Sequence, residues 1–352
     1  MLADLVDHVI GIDPAKNVFT AAIVDSTTAG ELANREFKTT PSGYRSAIEW
    51  ANEHDTDPAS RAWAIEGTGS YGSGLTQILG RDGEWVIEFG HPKKQAARDG
   101  AKDDRLDALR AARETLGAAR LAQPRQRGPR EAMRCLLVTR ESAVNSRTRA
   151  INGLKNMVIS APVELRESLT GLSTAQLVNR CARFRIQPET NIETIETKRA
   201  LRSLAQRAKT LTTEANQLEK QMRPLVEQTA PQLLTEFGIG TICATQILVA
   251  WSHQGRFPTA DAFCRFAGVA PITASSGGQD IIHHRLSFGG DRNLNNALHT
   301  IAKTRIERDP TTKQFTAKKR AEGKSKRDAR RILKRYIARR IYRLLENPPP
   351  TN

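Results

Sequence analysis

Eight apolar positions, Leu201, Leu204, Ala208, Leu211, Ala215, Leu218, Met222 and Leu225, recur at alternating intervals of three and four residues. That alternation is the seam of a coiled coil and commits the segment to a long helix laid against another helix. A partner lies upstream. Residues 130–160 read as one helix, with Met133, Leu137, Val144, Ile151, Leu154 and Val158 on a stripe interrupted by Arg140 and Arg147. Two long helices separated by a less regular connector (161–197) predict an antiparallel hairpin, although the same stripe serves dimerisation equally well. Arg140 and Arg147 either line a nucleic-acid groove or snorkel from a helix face.

The residues before this hairpin have a different texture. Val9 to Asp13 and Asn17 to Asp25 read as two strands of a hairpin, and Glu36 to Thr39 as a third strand. A helix follows from Pro41 to Asn52, then a strand from Ala62 to Glu66, a glycine-rich turn, a short helix at Leu75 to Leu79 and a strand from Trp85 to Phe89. This order predicts an α/β layer architecture. Two of the strands end in an acid, Asp13 and Glu66. A helix expected from Lys102 onward carries Asp104 and Asp107 three residues apart, on one face. If the two strands are neighbours, four carboxylates converge at one sheet edge. Such a set suits Mg²⁺ ions flanking a phosphodiester. Taken singly, Asp13 also reads as the opener of an Asp-Pro turn, and the Asp pair as a solvated helix start.

Charge is divided along the chain. Residues 1–90 hold 6 Lys/Arg against 14 Asp/Glu, whereas 313–343 hold 14 against 2, within a net charge of +16. The acidic front suits cations and the basic end suits a polyanion, most simply nucleic acid. The basic end lacks the Trp/Phe/Leu-rich face of a membrane-inserting helix, and no apolar run reaches the ~18 residues of a membrane span. The four cysteines (Cys135, Cys181, Cys243 and Cys264) show neither zinc-ligand nor disulfide spacing. With an acidic N-terminus unlike a signal peptide, they fit a reducing cytoplasm.

Beyond the hairpin, Gly238-Ile239-Gly240 reads as a tight connection between helices, or as a turn offering backbone N–H groups to a phosphate. An apolar helix then stops at Pro271, before a small-residue loop containing Ser275, Ser276, Gly277 and Gly278. A second glycine turn, Gly289-Gly290-Asp291, starts another helix. His283 and His284 are adjacent and so point apart, which disfavours a shared metal. From Gly323 to Ile341 the pattern is a basic amphipathic helix, with Lys324, Lys326, Arg327 and Arg331 on its polar side.

Three stretches, Ile10-Gly11-Ile12-Asp13-Pro14-Ala15-Lys16-Asn17, Ala64-Ile65-Glu66-Gly67-Thr68-Gly69-Ser70-Tyr71-Gly72 and Lys102-Asp103-Asp104-Arg105-Leu106-Asp107-Ala108-Leu109, resemble the DEDD, RuvC-like domain of IS110-family insertion-sequence transposases, relatives of the pilin-gene-inverting recombinases. The run from Gly268-Val269-Ala270-Pro271 to Ser276-Gly277 matches that family's second hallmark. The resemblance implies three parts: a ribonuclease-H/RuvC-like domain (1–124), a helical coiled-coil hairpin (125–230) and a mainly helical transposase domain with a basic tail helix (231–352). It implies Asp13, Glu66, Asp104 and Asp107 as a catalytic, Mg²⁺-binding tetrad, with Asp103 left out. It implies Ser276 as a nucleophile that becomes joined to DNA, Ser275 being the adjacent alternative. Relatives carry several cations just after this serine; here Gln279, Asp280, His283, His284 and Arg285 stand there, leaving Arg285 and Arg292 as phosphate contacts. DNA, a bridge-type guide RNA and a dimer or tetramer of the chain are the implied partners. Two other readings compete: a metal-dependent RuvC-like junction-resolving nuclease that does not use the serine, and a non-catalytic nucleic-acid-binding scaffold.

Overall fold

The computed structural model describes residues 1–90, 103–186, 191–273, 284–285 and 289–348. The chain divides into two compact units, residues 1–126 and 127–352.

The first unit is built on a five-stranded sheet. Its strands are β1 (His8–Pro14), β2 (Val18–Asp25), β3 (Glu31–Lys38), β4 (Arg61–Glu66) and β5 (Trp85–Phe89), in the order β3-β2-β1-β4-β5. The β1-β2-β3 meander is antiparallel, and β4 and β5 add in parallel to β1. Strand alternation divides the core between the two faces. Ile10 and Ile12 join Trp63 and Ile65 beneath α1 (Pro41–His54) and α2 (Ser73–Arg81), where Tyr44, Trp50, Leu75 and Leu79 are buried. Val9, Ala62 and Ala64 point the other way, onto Ala108, Leu109 and Ala112 of α3 (Asp104–Leu116). The α/β reading therefore holds, with β3 five residues longer at its start than the sequence pattern suggested. Those added residues alternate between half-buried and exposed and include Asn34, so they lack the apolar signal of a core strand.

The first residues of β4 are held by charge. Arg61 and Glu84 are fully buried and paired through two hydrogen bonds, one of them Arg61 Nε to Glu84 Oε2 at 3.0 Å. The Trp63 indole N–H donates to the same carboxylate at 2.7 Å. Removing one partner from such a pair strands the other in the core.

In the second unit, α4 (Pro129–Ile159) and α7 (Ile192–Thr229) pack along each other. Gly153 faces Leu204 while Arg140 faces Glu219, so the two helices run antiparallel. The connector is more ordered than its irregular sequence suggested. It folds into α5 (Val163–Leu169) and α6 (Thr174–Ala182), whose Leu165, Leu169, Leu177 and Cys181 cluster with Leu154 and Leu201. At the opposite end of the pair, Met133 and Val226 enter the main core of the unit. Helices α8 (Gln232–Thr235), α9 (Thr241–Trp251), α10 (Ala260–Phe266), α11 (Arg292–Arg308) and α13 (Lys326–Glu346) surround that core. α12 (Pro310–Ala321) links α11 to α13, and two short strands, β6 (Ile272–Thr273) and β7 (His284–Arg285), pair beside them. The Gly238–Gly240 turn is a packed connection: Arg305 Nε donates to Phe237 O at 2.8 Å across it.

Candidate active site

Parallel pairing of β1 with β4 matches Ile12 to Ile65, so Asp13 and Glu66 follow at the carboxyl ends of adjacent strands. Both side chains are half-buried, and each engages in further interactions. Carboxyl ends of parallel strands are where open α/β sheets place their ligands.

The other two acids lie in the first turn of α3, and Gly11 seats that helix. A Cβ at Gly11 would stand 2.7 Å from the Ala112 nitrogen and would overlap the Ala108 carbonyl oxygen, so helix and strand meet backbone to backbone. Only glycine permits that approach. Asp103 is the N-cap of α3, its carboxylate accepting from the Arg105 N–H at 3.0 Å. This neighbouring acid thus serves the start of the helix. Asp104 is exposed, and Asp107 pairs with Arg110 at 2.8 Å. Arg105 reaches back to Glu31 on β3, and Arg113 to the Ala29 carbonyl, tying the helix to the meander.

The structure therefore joins Asp13 to Glu66 by strand pairing, and mounts Asp104 and Asp107 on a helix packed against the strand that carries Asp13. Among the described residues, no three His, Cys, Asp or Glu side chains stand together as a metal-holding group. The acids are hard oxygen donors of the kind Mg²⁺ prefers, so their chemistry fits such an ion.

Ser275 and Ser276 lie outside the described residues, as do Gln279, Asp280 and His283. Arg285 is described through its backbone, which pairs with Ile272 in the β6–β7 ribbon. Of the expected nucleic-acid contacts, Arg140 forms an ion pair with Glu219 across the helical pair at 3.1 Å, and Arg147 is half-buried on α4. Lys324 is exposed in the loop before α13; the helix itself begins one residue after its cap, Ser325. Arg292, Lys326, Arg327 and Arg331 come together around one cleft. Sequence reasoning missed five further polar side chains lining it, Asn295, Asn296, His299, Arg330 and Lys334. They lie on two helices far apart in the chain, and only the i, i+4 spacing of Arg330 and Lys334 hinted at a shared face.

Comparison with known proteins agrees with both halves. Residues 230–317 match the family described as Transposase IS116/IS110/IS902 family. Residues 10–161 match a model of DEDD transposases of the IS110 type, described as Transposase. The chain is also similar to the insertion element IS110 uncharacterized 43.6 kDa protein of Streptomyces coelicolor, 34% identical over 110 residues. That stretch is 31% of this chain and 27% of the relative, so the match spans about a quarter of the curated protein.

Proposed function

The chain belongs to the IS110 family of transposases, and from that premise we propose that it is a DNA recombinase that cuts and rejoins strands through a serine-linked intermediate. One observation carries the reading. Asp13 and Glu66 end neighbouring parallel strands, and Asp104 and Asp107 begin a helix packed against Gly11 of the first of those strands.

In this reading the Ser276 hydroxyl attacks a backbone phosphorus and the bond to the 3′ oxygen breaks. The serine proton passes by way of a carboxylate to the departing 3′ oxygen, which leaves as a hydroxyl, and the 5′ phosphate stays on the protein. Attack by another 3′ hydroxyl reverses the step and restores the serine. The number of phosphate ester bonds is conserved, so no nucleotide cofactor is consumed. Asp13, Glu66, Asp104 and Asp107 would hold a divalent cation, which supplies charge stabilisation at the scissile phosphate. Asp107 would leave Arg110, or bring it along, to join the set.

The family resemblance extends the proposal to target choice by a bound guide RNA and to assembly as a dimer or tetramer, since recombination needs several strand cuts. The test is to incubate the protein with Mg²⁺ and a DNA duplex containing the element's end, then map any covalent adduct by mass spectrometry. A DNA-linked Ser276 peptide, absent in Ser276→Ala and in Asp13→Asn, is the expected result. Cleavage that persists in Ser276→Ala without protein-linked DNA would instead identify a metal-dependent nuclease. Binding without cutting would identify a scaffold.

A further inference from the structure

The face of α13 turned toward α11 carries two cations, Arg330 and Lys334, that pair with no acid among the described residues. Several other cations of α13 are paired. Arg335 and Arg339 both reach Asp261, at 3.3 and 2.8 Å, Arg340 meets Glu236 at 3.0 Å, and Arg331 meets Asp328 at 2.9 Å. Lys334 is different. It is 9% exposed, and its ammonium donates to a neutral partner, the Asn295 amide oxygen, at 2.6 Å. The opposite end of that amide is committed, donating to the Ala267 carbonyl at 2.7 Å, which holds the oxygen toward Lys334. One turn earlier, the Arg330 Nε is buried with no hydrogen-bond partner among the described residues.

These groups open onto a cleft of about 820 Å³ between α11 and α13, closed at one side by Gly268 and Gly290. The two glycines lie against each other: a Cβ on Gly290 would stand 2.5 Å from the Gly268 backbone. The volume suits a bound group of nucleotide size, since ligand clefts run from about 300 to 1,000 Å³. Burial, and then the charge of Arg330, push the Lys334 ammonium down to about 8. Burial, and then Lys334 and Arg330, push His299 below the ordinary histidine range. Burying like charges side by side is unfavourable unless an anion completes the site.

We propose that this cleft seats a backbone phosphate of a nucleic-acid strand, with Lys334 and Arg330 as its direct ligands and Asn295 as the residue that positions Lys334. The proposal rests on the nucleic-acid reading above and gives it a specific seat. Guanidinium and ammonium donors facing an open cleft are the usual holders of phosphate oxygens. Among the described residues no acid pairs with Lys334 or Arg330, so the bound strand supplies the anion in this proposal. The seat is also pH-dependent. Arg292, Asn295 and His299 face it from α11, with Lys303 one turn beyond His299, and Lys326, Arg327, Arg330 and Arg331 face it from α13. Of these, Lys334 is the group that titrates between pH 7.5 and 9.5.

The test uses the full chain and fluorescence anisotropy with a labelled DNA duplex and, in a parallel arm, a labelled RNA. Lys334→Gln is compared with wild type and with Arg343→Gln, an exposed change of equal charge on the same helix. We expect Lys334→Gln to weaken binding roughly tenfold or more at pH 7 and to reduce the salt slope by about 0.9 on duplex DNA, with Arg343→Gln close to wild type. Wild-type affinity falls from pH 7.5 to 9.5 while Lys334→Gln stays flat, so the two converge. A loss confined to the DNA arm or to the RNA arm identifies the strand that sits in the cleft. Wild-type binding with no difference at Lys334→Gln, or with an equal loss at Arg343→Gln, overturns the cleft but leaves the recombinase reading standing. Failure of wild type to bind either nucleic acid overturns both. Should Lys334→Gln fail to fold, the wild-type pH profile decides: an affinity unchanged from pH 7.5 to 9.5 refutes the proposal.

Discussion

Replacing Gly11 by alanine tests the joint between the two pairs of acids. The added methyl would stand 2.7 Å from the Ala112 nitrogen, where ordinary contact begins near 3.4 Å, and it would overlap the Ala108 carbonyl as well. Both obstacles are backbone, so no rotamer change relieves them. α3 must retreat from β1 by at least ~0.7 Å, and further to clear the carbonyl, carrying Asp104 and Asp107 away from the strand that holds Asp13. Overpacking typically costs about 1–3 kcal/mol, and an obstacle made of main chain belongs at or above the top of that range. The retreat also loosens Ala108, Leu109 and Ala112 against the sheet. Urea unfolding followed by tryptophan fluorescence reads the first unit well, because three of the four tryptophans, Trp50, Trp63 and Trp85, lie in it. Gly80→Ala is the control: its methyl meets nothing within 4 Å, and it sits in α2, so it should be neutral or gain up to about 1 kcal/mol. We expect Gly11→Ala to lose ~3 kcal/mol or more, and metal-dependent DNA cleavage to drop by roughly 10²-fold, the usual penalty for an ångström of misplacement. A Gly11→Ala protein within ~0.5 kcal/mol of wild type would refute the seating of α3 on β1, since surface substitutions alone produce changes that small.

Other expectations follow from the same geometry. Glu84→Gln leaves Arg61 charged in the core and should cost roughly 3–5 kcal/mol in a urea titration. Asp13→Asn should leave the unfolding curve of the first unit near wild type while lowering Mg²⁺-dependent cleavage by roughly 10²-fold or more. Without nucleic acid, Lys334 should make stability rise with pH. Its folded value is about 8 against 10.5 for the free side chain, so above pH 8 the unfolded chain holds more protons. The penalty is fully present below pH 8 and relieved by about 3 kcal/mol as pH approaches 10.5. Lys334→Met should flatten that part of the profile, and a variant whose pH dependence parallels wild type would count against the buried ammonium.

The parts of the fold carried by local periodicity were readable in advance. The strands ending at Asp13 and Glu66, the helix bearing Asp104 and Asp107, and the two long helices all announce themselves through apolar spacing and capping residues. Less visible was whatever depends on distant partners. Arg61 resembles an ordinary polar strand start until Glu84, in the turn before β5, is found beside it in the core. Arg140 could have faced a groove or a neighbour, and only the antiparallel alignment of α4 with α7 brings Glu219 opposite. Lys334 follows the charge pattern of an exposed amphipathic helix, yet the packing of α13 on α11 buries it. The connector 161–197 lacked a sustained apolar period because its helices are too short to show one, seven and nine residues in α5 and α6.

The Arg61–Glu84 pair bears on Glu66, five residues further along β4. A parallel strand slipped by one position would turn each side chain to the opposite face, and the slip would leave this buried guanidinium without its carboxylate. The entering end of β4 thus acts as an indexing pin, admitting one alignment only. Damage to the pin would then be felt as lost chemistry at the far end of the strand, in a protein whose acids are all intact.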